Sequence, residues 1–247
     1  MTKIDIISGF LGAGKTTLIK KLIEEAFTGE KLVLIENEFG EIGIDGGFLK
    51  DSGINITEMN SGCICCSLVG DFGTALAEVL EKYAPDRIII EPSGVGKLSD
   101  VIKAVLGVKE KVAEDSVVLN SFTTVADATK CKMYMKNFGE FYNNQVEHAG
   151  TIVLSRTGNM KEDKLQACID LIRTQNAEAS IITTPWDQIN GKQILDAMEK
   201  KNDLVKELLE EEDVCPECGH HHEHGEECDH DHEHHHDHDH DHEHHHH

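Results

Sequence analysis

Basic residues are scarce in this 247-residue chain, which has 23 Lys and Arg against 46 Asp and Glu and a formal net charge of −23. Proteins that bind nucleic acids or anionic membranes need a basic surface, so the composition argues against both classes. The acidity is uneven, because the stretch after residue 209 contains neither Lys nor Arg and holds every histidine except His148. The chain therefore divides into a body of ordinary charge and a distinct C-terminal tail.

Long apolar runs are also missing, and none approaches the roughly 20 residues that a transmembrane helix needs. The opening Met1-Thr2-Lys3 leads directly into an apolar segment and lacks the features of a secretory leader, so we expect a cytoplasmic protein. In that compartment the eight cysteines are expected to be metal ligands or free thiols rather than a disulfide framework. Cys131 and Cys168 are expected to be core or free thiols.

Short apolar segments recur along the body, and several are rich in β-branched residues without polar alternation, which is typical of strands buried on both faces. They are Ile4–Ser8, Leu32–Glu36, Ile54–Glu58, Arg87–Glu91, Ser116–Asn120, Thr151–Ser155 and Ser180–Thr183. Helical periodicity covers Lys15–Phe27, Asp71–Tyr83, Lys161–Thr174 and Gly191–Glu212. Strands that alternate with helices predict an α/β fold with a mostly parallel sheet and helices on both faces.

The segment Gly9–Thr16 fits the pattern GxxxxGK[ST] and lies between a predicted strand and a predicted helix, as a phosphate-binding P-loop requires. We expect Lys15 to contact the β- and γ-phosphates and the Thr16 hydroxyl to bind Mg²⁺. Backbone N–H groups and the helix N-terminus supply the rest of the phosphate site. The residues expected to bind nucleotide here are Gly9, Gly12, Ala13, Gly14, Lys15, Thr16 and Thr17.

A second phosphate element is expected at Ile88–Gly94, where an apolar strand ends in Glu91. An acid at this place in a P-loop enzyme holds Mg²⁺ or its water, so Glu91 joins Lys15 and Thr16 as a candidate catalytic residue. Gly94 offers its backbone N–H to a γ-phosphate. Because no Gln or His stands out as a catalytic group, we expect slow hydrolysis that depends on electrostatics.

Three thiols, Cys63, Cys65 and Cys66, lie within four residues of a short segment. Converging thiolates bind a soft or borderline cation, so this cluster is a candidate metal site. A redox site is the alternative, although Cys63 and Cys66 form the only C-x-x-C pair in the cluster.

The tail interleaves histidines with acidic residues and adds Cys215, Cys218 and Cys228. Imidazole suits Zn²⁺, Ni²⁺ and Co²⁺, so we predict a metal reservoir of many weak sites that is disordered without metal. A purification tag does not explain the irregular Asp and Glu spacing, although His244–His247 alone would fit one. The predicted domains are a P-loop GTPase-like domain at 1–205 and a metal-binding tail at 206–247.

Four segments in order resemble the CobW-like GTPases, relatives of the nickel chaperones UreG and HypB. They are the P-loop, Ile35–Asp45 with its Glu-Asn-Glu-Phe-Gly-Glu, Cys63-Ile64-Cys65-Cys66 and Glu91-Pro92-Ser93-Gly94. The resemblance covers roughly residues 1–205 and implies GTP hydrolysis coupled to delivery of Zn²⁺, Co²⁺ or Ni²⁺ to a client metalloprotein. It also implies that Glu36 and Glu41 join the cysteines in a metal site. A nucleotide-dependent homodimer is a further open expectation.

Two departures from the family pattern affect these expectations. The guanine-recognising [NST]KxD motif corresponds to Ser155-Arg156-Thr157-Gly158, so Gly158 stands where the Asp is expected. Arg156 could still lay its stem over a purine, but ATP becomes an alternative to GTP. In addition, the second α/β domain of the family has no counterpart in the tail, so we expect it to be absent or supplied by another chain.

The sequence thus predicts a nucleotide-hydrolysing metallochaperone. A metal-storage or sensing protein with incidental nucleotide binding is the alternative. A nickel-inserting protein of the HypB or UreG kind is less favoured, because the cysteine cluster and the Glu-Asn-Glu-Phe-Gly-Glu segment indicate the CobW branch.

Overall fold

The computed structural model describes residues 1–36, 56–60, 69–109, 112 and 116–200, and for 56–60, 69–75 and 109 it describes the backbone alone. Within these ranges the chain forms a seven-stranded sheet with the strand order β3-β2-β4-β1-β5-β6-β7. Each pair of neighbouring strands is parallel. Their carboxyl ends therefore meet at one edge of the sheet, the edge at which open α/β folds bind ligands.

The strands are β1 (Thr2–Gly9), β2 (Leu32–Glu36), β3 (Ile56–Asn60), β4 (Arg87–Glu91), β5 (Val117–Asp127), β6 (Thr151–Ser155) and β7 (Ser180–Ile182). The described helices are α1 (Lys15–Glu25), α2 (Val69–Tyr83), α3 (Leu98–Lys109), α4 (Cys131–Asn137), α5 (Gly139–Glu147) and α6 (Glu162–Arg173), followed by α7 at 191–200.

Two apolar clusters cover the two faces of the sheet. Successive strand residues alternate between them, so that Ile88 and Ile90 of β4 belong to one cluster and Ile89 to the other. Helices α3 and α5 pack on the first cluster, whereas α1 and α7 pack on the second. The predicted α/β fold with a parallel sheet and helices on both faces is confirmed.

Strand β5 is longer than predicted, since it runs from Val117 to Asp127 rather than ending at Asn120. The strand continues through two polar residues, Ser121 and Thr124, whose side chains form hydrogen bonds inside the fold. Ser121 donates its hydroxyl to Asp5 at 2.5 Å, and Thr124 donates to the main-chain oxygen of Gln145 at 2.5 Å. The extension carries Asp127 to the ligand-binding edge.

Helices α3, α4 and α5 are additions to the predicted set. Helices α4 and α5 place aromatic rings against Phe10 of the P-loop. The Phe10 ring centroid lies 4.6 Å from that of Tyr134 in α4 and 6.1 Å from that of Tyr142 in α5. The predicted helix Gly191–Glu212 is confirmed for 191–200, and its remainder lies outside the described residues. The predicted boundary between residues 205 and 206 also falls outside them.

A buried ionic network anchors α7 at the opposite, amino-terminal edge of the sheet. Arg87, 2% exposed, pairs with the fully buried Asp5. Glu199 of α7 accepts hydrogen bonds from Lys3 at 2.9 Å and from Asn120 at 3.0 Å. A buried charge is tolerated only when it is paired in this way, so the network fixes α7 on the sheet.

Candidate functional site

The P-loop connects the end of β1 to the start of α1. Gly12 has φ 67° and Gly14 has φ 110°, values that residues with a side chain rarely adopt. A Cβ on Gly9 would lie 2.5 Å from the main-chain oxygen of Val125 in β5. Glycine at these three positions therefore permits a loop that turns back over the end of the sheet.

Lys15 and Thr16 begin α1 directly after this loop. Lys15 is 7% exposed, and the Thr16 hydroxyl donates to the Glu91 carboxylate at 3.2 Å to Oε1. Glu91 ends β4 and is 4% exposed. The structure thus brings together two oxygen groups that the sequence analysis assigned to Mg²⁺, and hard oxygen donors are the ligands that Mg²⁺ accepts.

Glu36 lies next to Glu91 at the carboxyl ends of neighbouring strands. The two residues are register partners in the β2–β4 pair, and Asn60 is the register partner of Glu36 in the β2–β3 pair. In-register residues of parallel strands face the same side of the sheet. Because Glu36 is 6% exposed, two buried carboxylates stand side by side, an arrangement that favours a nearby cation.

Arg156 fastens the P-loop to the end of β5. Its guanidinium donates to the buried carboxylate of Asp127 and, at 3.0 Å, to the main-chain oxygen of Gly12. Asp127 also accepts hydrogen bonds from the backbone and the hydroxyl of Thr129. Arg156 is expected to lie beside a purine, and in the structure its guanidinium also supports the P-loop through Gly12.

Gly94 lies against Leu11 of the P-loop. A Cβ on Gly94 would come within 2.7 Å of Leu11 Cδ2 and 2.8 Å of the Leu11 nitrogen, so the contact requires glycine. The fully buried Gln145 donates to the main-chain oxygens of Gly94 at 3.0 Å and Gly96 at 2.8 Å. This arrangement fixes the Gly94 backbone beside the loop.

A cavity of about 460 Å³ opens beside the P-loop and α1. Three segments contribute its lining: the P-loop with the start of α1, the residues that follow β6 and the residues that follow β7. The lining residues are Ala13, Gly14, Thr17, Ser155, Arg156, Thr157, Gly158, Asn159, Pro185, Trp186, Asp187 and Gln188. A cavity beside the phosphate loop of this size and composition suits the base and ribose of a nucleotide.

Most predicted metal ligands lie outside the described residues. They are Glu41, Cys63, Cys65, Cys66, Cys215, Cys218 and Cys228. Within the described part of the chain, no group of three or more His, Cys, Asp and Glu residues is arranged to hold a metal ion. Cys131 and Cys168 are buried free thiols, as expected. None of the described helices has the length and apolarity to cross a membrane.

The family model for the CobW/HypB/UreG nucleotide-binding domain matches residues 3–183 of this chain. The chain belongs to the CobW/HypB/UreG family. The match runs from β1 to β7 and includes the P-loop, Glu91 and the cavity-lining residues as far as Asn159.

Family relatives include the zinc chaperone CobW of Sinorhizobium sp., which is 34% identical over an alignment that covers 90% of this chain and 68% of the relative. The zinc chaperone YeiR of Escherichia coli is 29% identical over 77% of this chain and 57% of its own length. The zinc chaperone YjiA of the same organism is 31% identical over 76% of this chain and 58% of its own length. The chain therefore spans less than two thirds of YeiR and YjiA.

Solved structures of family members have the same fold. Zn(II)-bound YjiA GTPase from E. coli superposes with a TM-score of 0.54 at 23% identity, covering 77% of this chain and 62% of YjiA. HypB from Helicobacter pylori in complex with nickel gives a TM-score of 0.52 at 16% identity, covering 84% of this chain and 87% of HypB. At these identities the likeness concerns the fold alone.

Several residues of the site escaped sequence analysis. Asp127, Gln145 and Trp186 belong to no motif and act through contacts with segments distant along the chain. The indole N–H of Trp186 donates to the main-chain oxygen of Leu154 at 2.9 Å, which fixes the ring at the cavity. Such contacts leave no local pattern, because each depends on the strand order rather than on spacing.

Proposed function

We propose that this chain binds and hydrolyses GTP and couples that reaction to the transfer of a transition metal, with Zn²⁺ as the favoured cargo, to a client metalloprotein. The observation that carries the proposal is the register pairing of Glu36 with Glu91, whose carboxylate accepts a hydrogen bond from Thr16. A candidate cargo ligand and the nucleotide site thereby occupy neighbouring strand ends. The names of the CobW, YeiR and YjiA relatives support zinc as the cargo.

In the nucleotide site, the P-loop backbone and Lys15 surround the β- and γ-phosphates, and Gly94, which lies against Leu11 of the P-loop, offers its backbone N–H to the γ-phosphate. Thr16 and Glu91 are the residues that would hold Mg²⁺, which offsets the negative charge of the phosphates when it is bound. The chain's own contribution is to position the γ-phosphate for attack by water, which yields GDP and phosphate. The buried ammonium of Lys15 stabilises negative charge on the phosphate oxygens in the transition state.

The predicted metal ligands follow two neighbouring strand ends along the chain. Glu36 is the last residue of β2 and is followed by Glu41, and Asn60 is the last residue of β3 and is followed by Cys63, Cys65 and Cys66. Because Glu36 and Asn60 are register partners, both connections leave the sheet at the same place, next to Glu91. We propose that Glu36, Glu41 and the three thiols bind the metal, and that its binding is coupled to nucleotide binding because both sites lie at this edge of the sheet.

The test is whether phosphate release depends on the cargo metal. GTP hydrolysis is measured on the full chain with Mg²⁺, with and without one equivalent of Zn²⁺, for the native chain and for Glu36→Gln. Glu24→Gln, an exposed carboxylate on α1, is the matched control. The proposal expects hydrolysis that responds to Zn²⁺ in the native chain and in the control but not in Glu36→Gln. If Zn²⁺ leaves the hydrolysis rate of all three proteins unchanged, the result would instead support a metal-storage protein with incidental nucleotide binding.

A further inference from the structure

The cavity beside the P-loop contains a carboxylate, Asp187, that no motif predicts. Gly158 stands where a guanine-recognising Asp is expected, and both Gly158 and Asp187 line the same cavity of about 460 Å³. The segment after β7 lies directly against Gly158, since a Cβ on this glycine would be 3.6 Å from Pro185 Cβ. Asp187 is two residues further along that segment and is exposed. A carboxylate is therefore available beside the position at which the motif lacks one.

Other features of the cavity suit a purine ring. Trp186 is held by its bond to Leu154, and a Cβ on Gly14 would lie 3.2 Å from Trp186 Cη2, so the indole packs against the phosphate loop. Thr157 is 6% exposed and lines the cavity, and its hydroxyl has no hydrogen-bond partner among the described residues. A buried polar atom without a partner is unusual in a folded protein and is consistent with a partner supplied by a ligand.

We propose that Asp187 recognises the guanine base and thereby replaces the missing Asp at position 158. A carboxylate accepts hydrogen bonds with both oxygens and donates none. Guanine offers two adjacent donors, N1–H and the 2-amino group, whereas adenine presents an unprotonated N1 and no 2-amino group. Asp187 thus favours guanine and disfavours adenine, so GTP is preferred over ATP despite Gly158. This inference rests on the proposed nucleotide function and specifies its substrate.

The test uses equilibrium binding of GDP, ADP and xanthosine diphosphate to the full chain and to Asp187→Asn. Xanthine carries an oxygen acceptor in place of the 2-amino group, and an Asn amide can donate to it. Loss of a bidentate, charge-assisted pair predicts that Asp187→Asn lowers GDP affinity by roughly 10²-fold or more and raises xanthosine diphosphate affinity. This exchange of preference distinguishes recognition of the base from a structural effect. Asp196→Asn, an exposed carboxylate on α7, is the control and should bind as the native chain does.

A second measurement needs only the native chain, so it remains decisive if the variant does not fold. Inosine diphosphate lacks the 2-amino group and should bind more weakly than GDP, whereas equal binding would overturn the inference. It is also overturned if the native chain binds GDP and ADP alike, or if Asn159→Ala rather than Asp187→Asn removes the preference for GDP. A native chain that binds none of these nucleotides would instead refute the proposed function itself.

Discussion

The Thr16 hydroxyl and the Glu91 carboxylate lie 3.2 Å apart, although 75 residues separate them along the chain. One begins α1 and the other ends β4, and the pairing of β1 with β4 brings the two termini together. Both groups offer oxygen atoms that can bind a metal ion, and Glu91 is 4% exposed. The pair is therefore suited to hold Mg²⁺ beside the phosphates, a role that can be tested at either residue.

Replacement of Glu91 by Gln keeps the size of the side chain but removes its charge. We expect the Mg²⁺ concentration that gives half-maximal GTP hydrolysis to rise at least tenfold, because a neutral amide attracts the cation less strongly. Hydrolysis rates over a range of Mg²⁺ concentrations measure this directly. Glu78→Gln, at an exposed position on α2, should leave the Mg²⁺ dependence unchanged. An unaltered dependence in Glu91→Gln would remove Glu91 from the site.

Lys15 supplies the buried positive charge of the P-loop. Its replacement by Ala should lower kcat/KM for GTP by on the order of 10²–10³-fold, as the loss of one well-placed electrostatic group does in other enzymes. The thermal midpoint and circular dichroism of the variant are measured beside the rate, so that loss of fold is separated from loss of catalysis. Lys103→Ala on the exposed side of α3 serves as the control. Native rates in Lys15→Ala would exclude the P-loop from the mechanism.

Arg156 bridges Asp127 and the main-chain oxygen of Gly12 with two different nitrogen atoms. A Lys at this position is a single point charge, and it serves both partners less well than the planar guanidinium fork does. We expect Arg156→Lys to raise KM for GTP more than it lowers kcat, because the P-loop loses a support while Lys15, Thr16 and Glu91 remain. Steady-state kinetics separate the two parameters. A fall in kcat at constant KM would contradict this positioning role.

Sequence analysis predicted the fold and singled out the P-loop, Thr16 and Glu91, which the structure brings together, but it did not single out Asp187. The P-loop, Thr16 and Glu91 carry a local pattern, since each lies where a strand meets a turn or a helix. Asp187 carries none, because it follows the short strand β7, and the pairing of β6 with β7 brings its segment beside Gly158. The sequence predicts that β5 ends at Asn120, but the strand continues to Asp127, and the hydroxyl of Thr124 in this extension donates to the main-chain oxygen of Gln145.

Glu199 provides a pH-dependent contribution to stability. Burial opposes its ionisation, but hydrogen bonds from Lys3 and Asn120 and the charge of Arg87 outweigh that effect and hold the pKa of Glu199 below its ordinary value near 4.5. A lowered pKa in the folded state stabilises the protein above the ordinary value, and this contribution disappears as the pH falls through the folded-state pKa. Glu199→Gln should therefore lower the free energy of unfolding at pH 7 by about 1 kcal/mol.

The check on this prediction is urea unfolding of both proteins between pH 7 and pH 3. The difference in the free energy of unfolding between the native chain and Glu199→Gln should narrow as the pH falls below 4.5 and through the lower pKa of Glu199 in the folded state. Glu81→Gln, at an exposed position on α2, should match the native chain throughout. A difference that stays constant with pH would show that packing rather than charge explains the effect of Glu199.

Truncation of the tail should distinguish metal bound by the histidine tract from metal bound at the predicted cysteine and glutamate site. A chain ending at Gly219 lacks the histidine tract and Cys228, so we expect it to lose most of its bound metal while keeping one tight equivalent at Glu36, Glu41 and the three clustered thiols. Metal analysis after dialysis, with and without GTP and Mg²⁺, gives the stoichiometry. In the full chain, metal held by the tail should fall as the pH drops through about 6.5, because protons compete for imidazole.

Cys65→Ser and Cys66→Ser in the truncated chain test whether that tight equivalent depends on the cysteine cluster. Serine keeps the approximate size of the side chain but offers a hydroxyl in place of a thiolate, and the hydroxyl is a poor ligand for a borderline cation such as Zn²⁺. We expect each change to abolish stoichiometric binding, whereas Cys168→Ser, at a buried thiol of the body, should retain it. If tight binding survives both cluster changes, the thiols are not cargo ligands. Coupling between nucleotide and metal would then have to proceed through Glu36 and Glu41 without them.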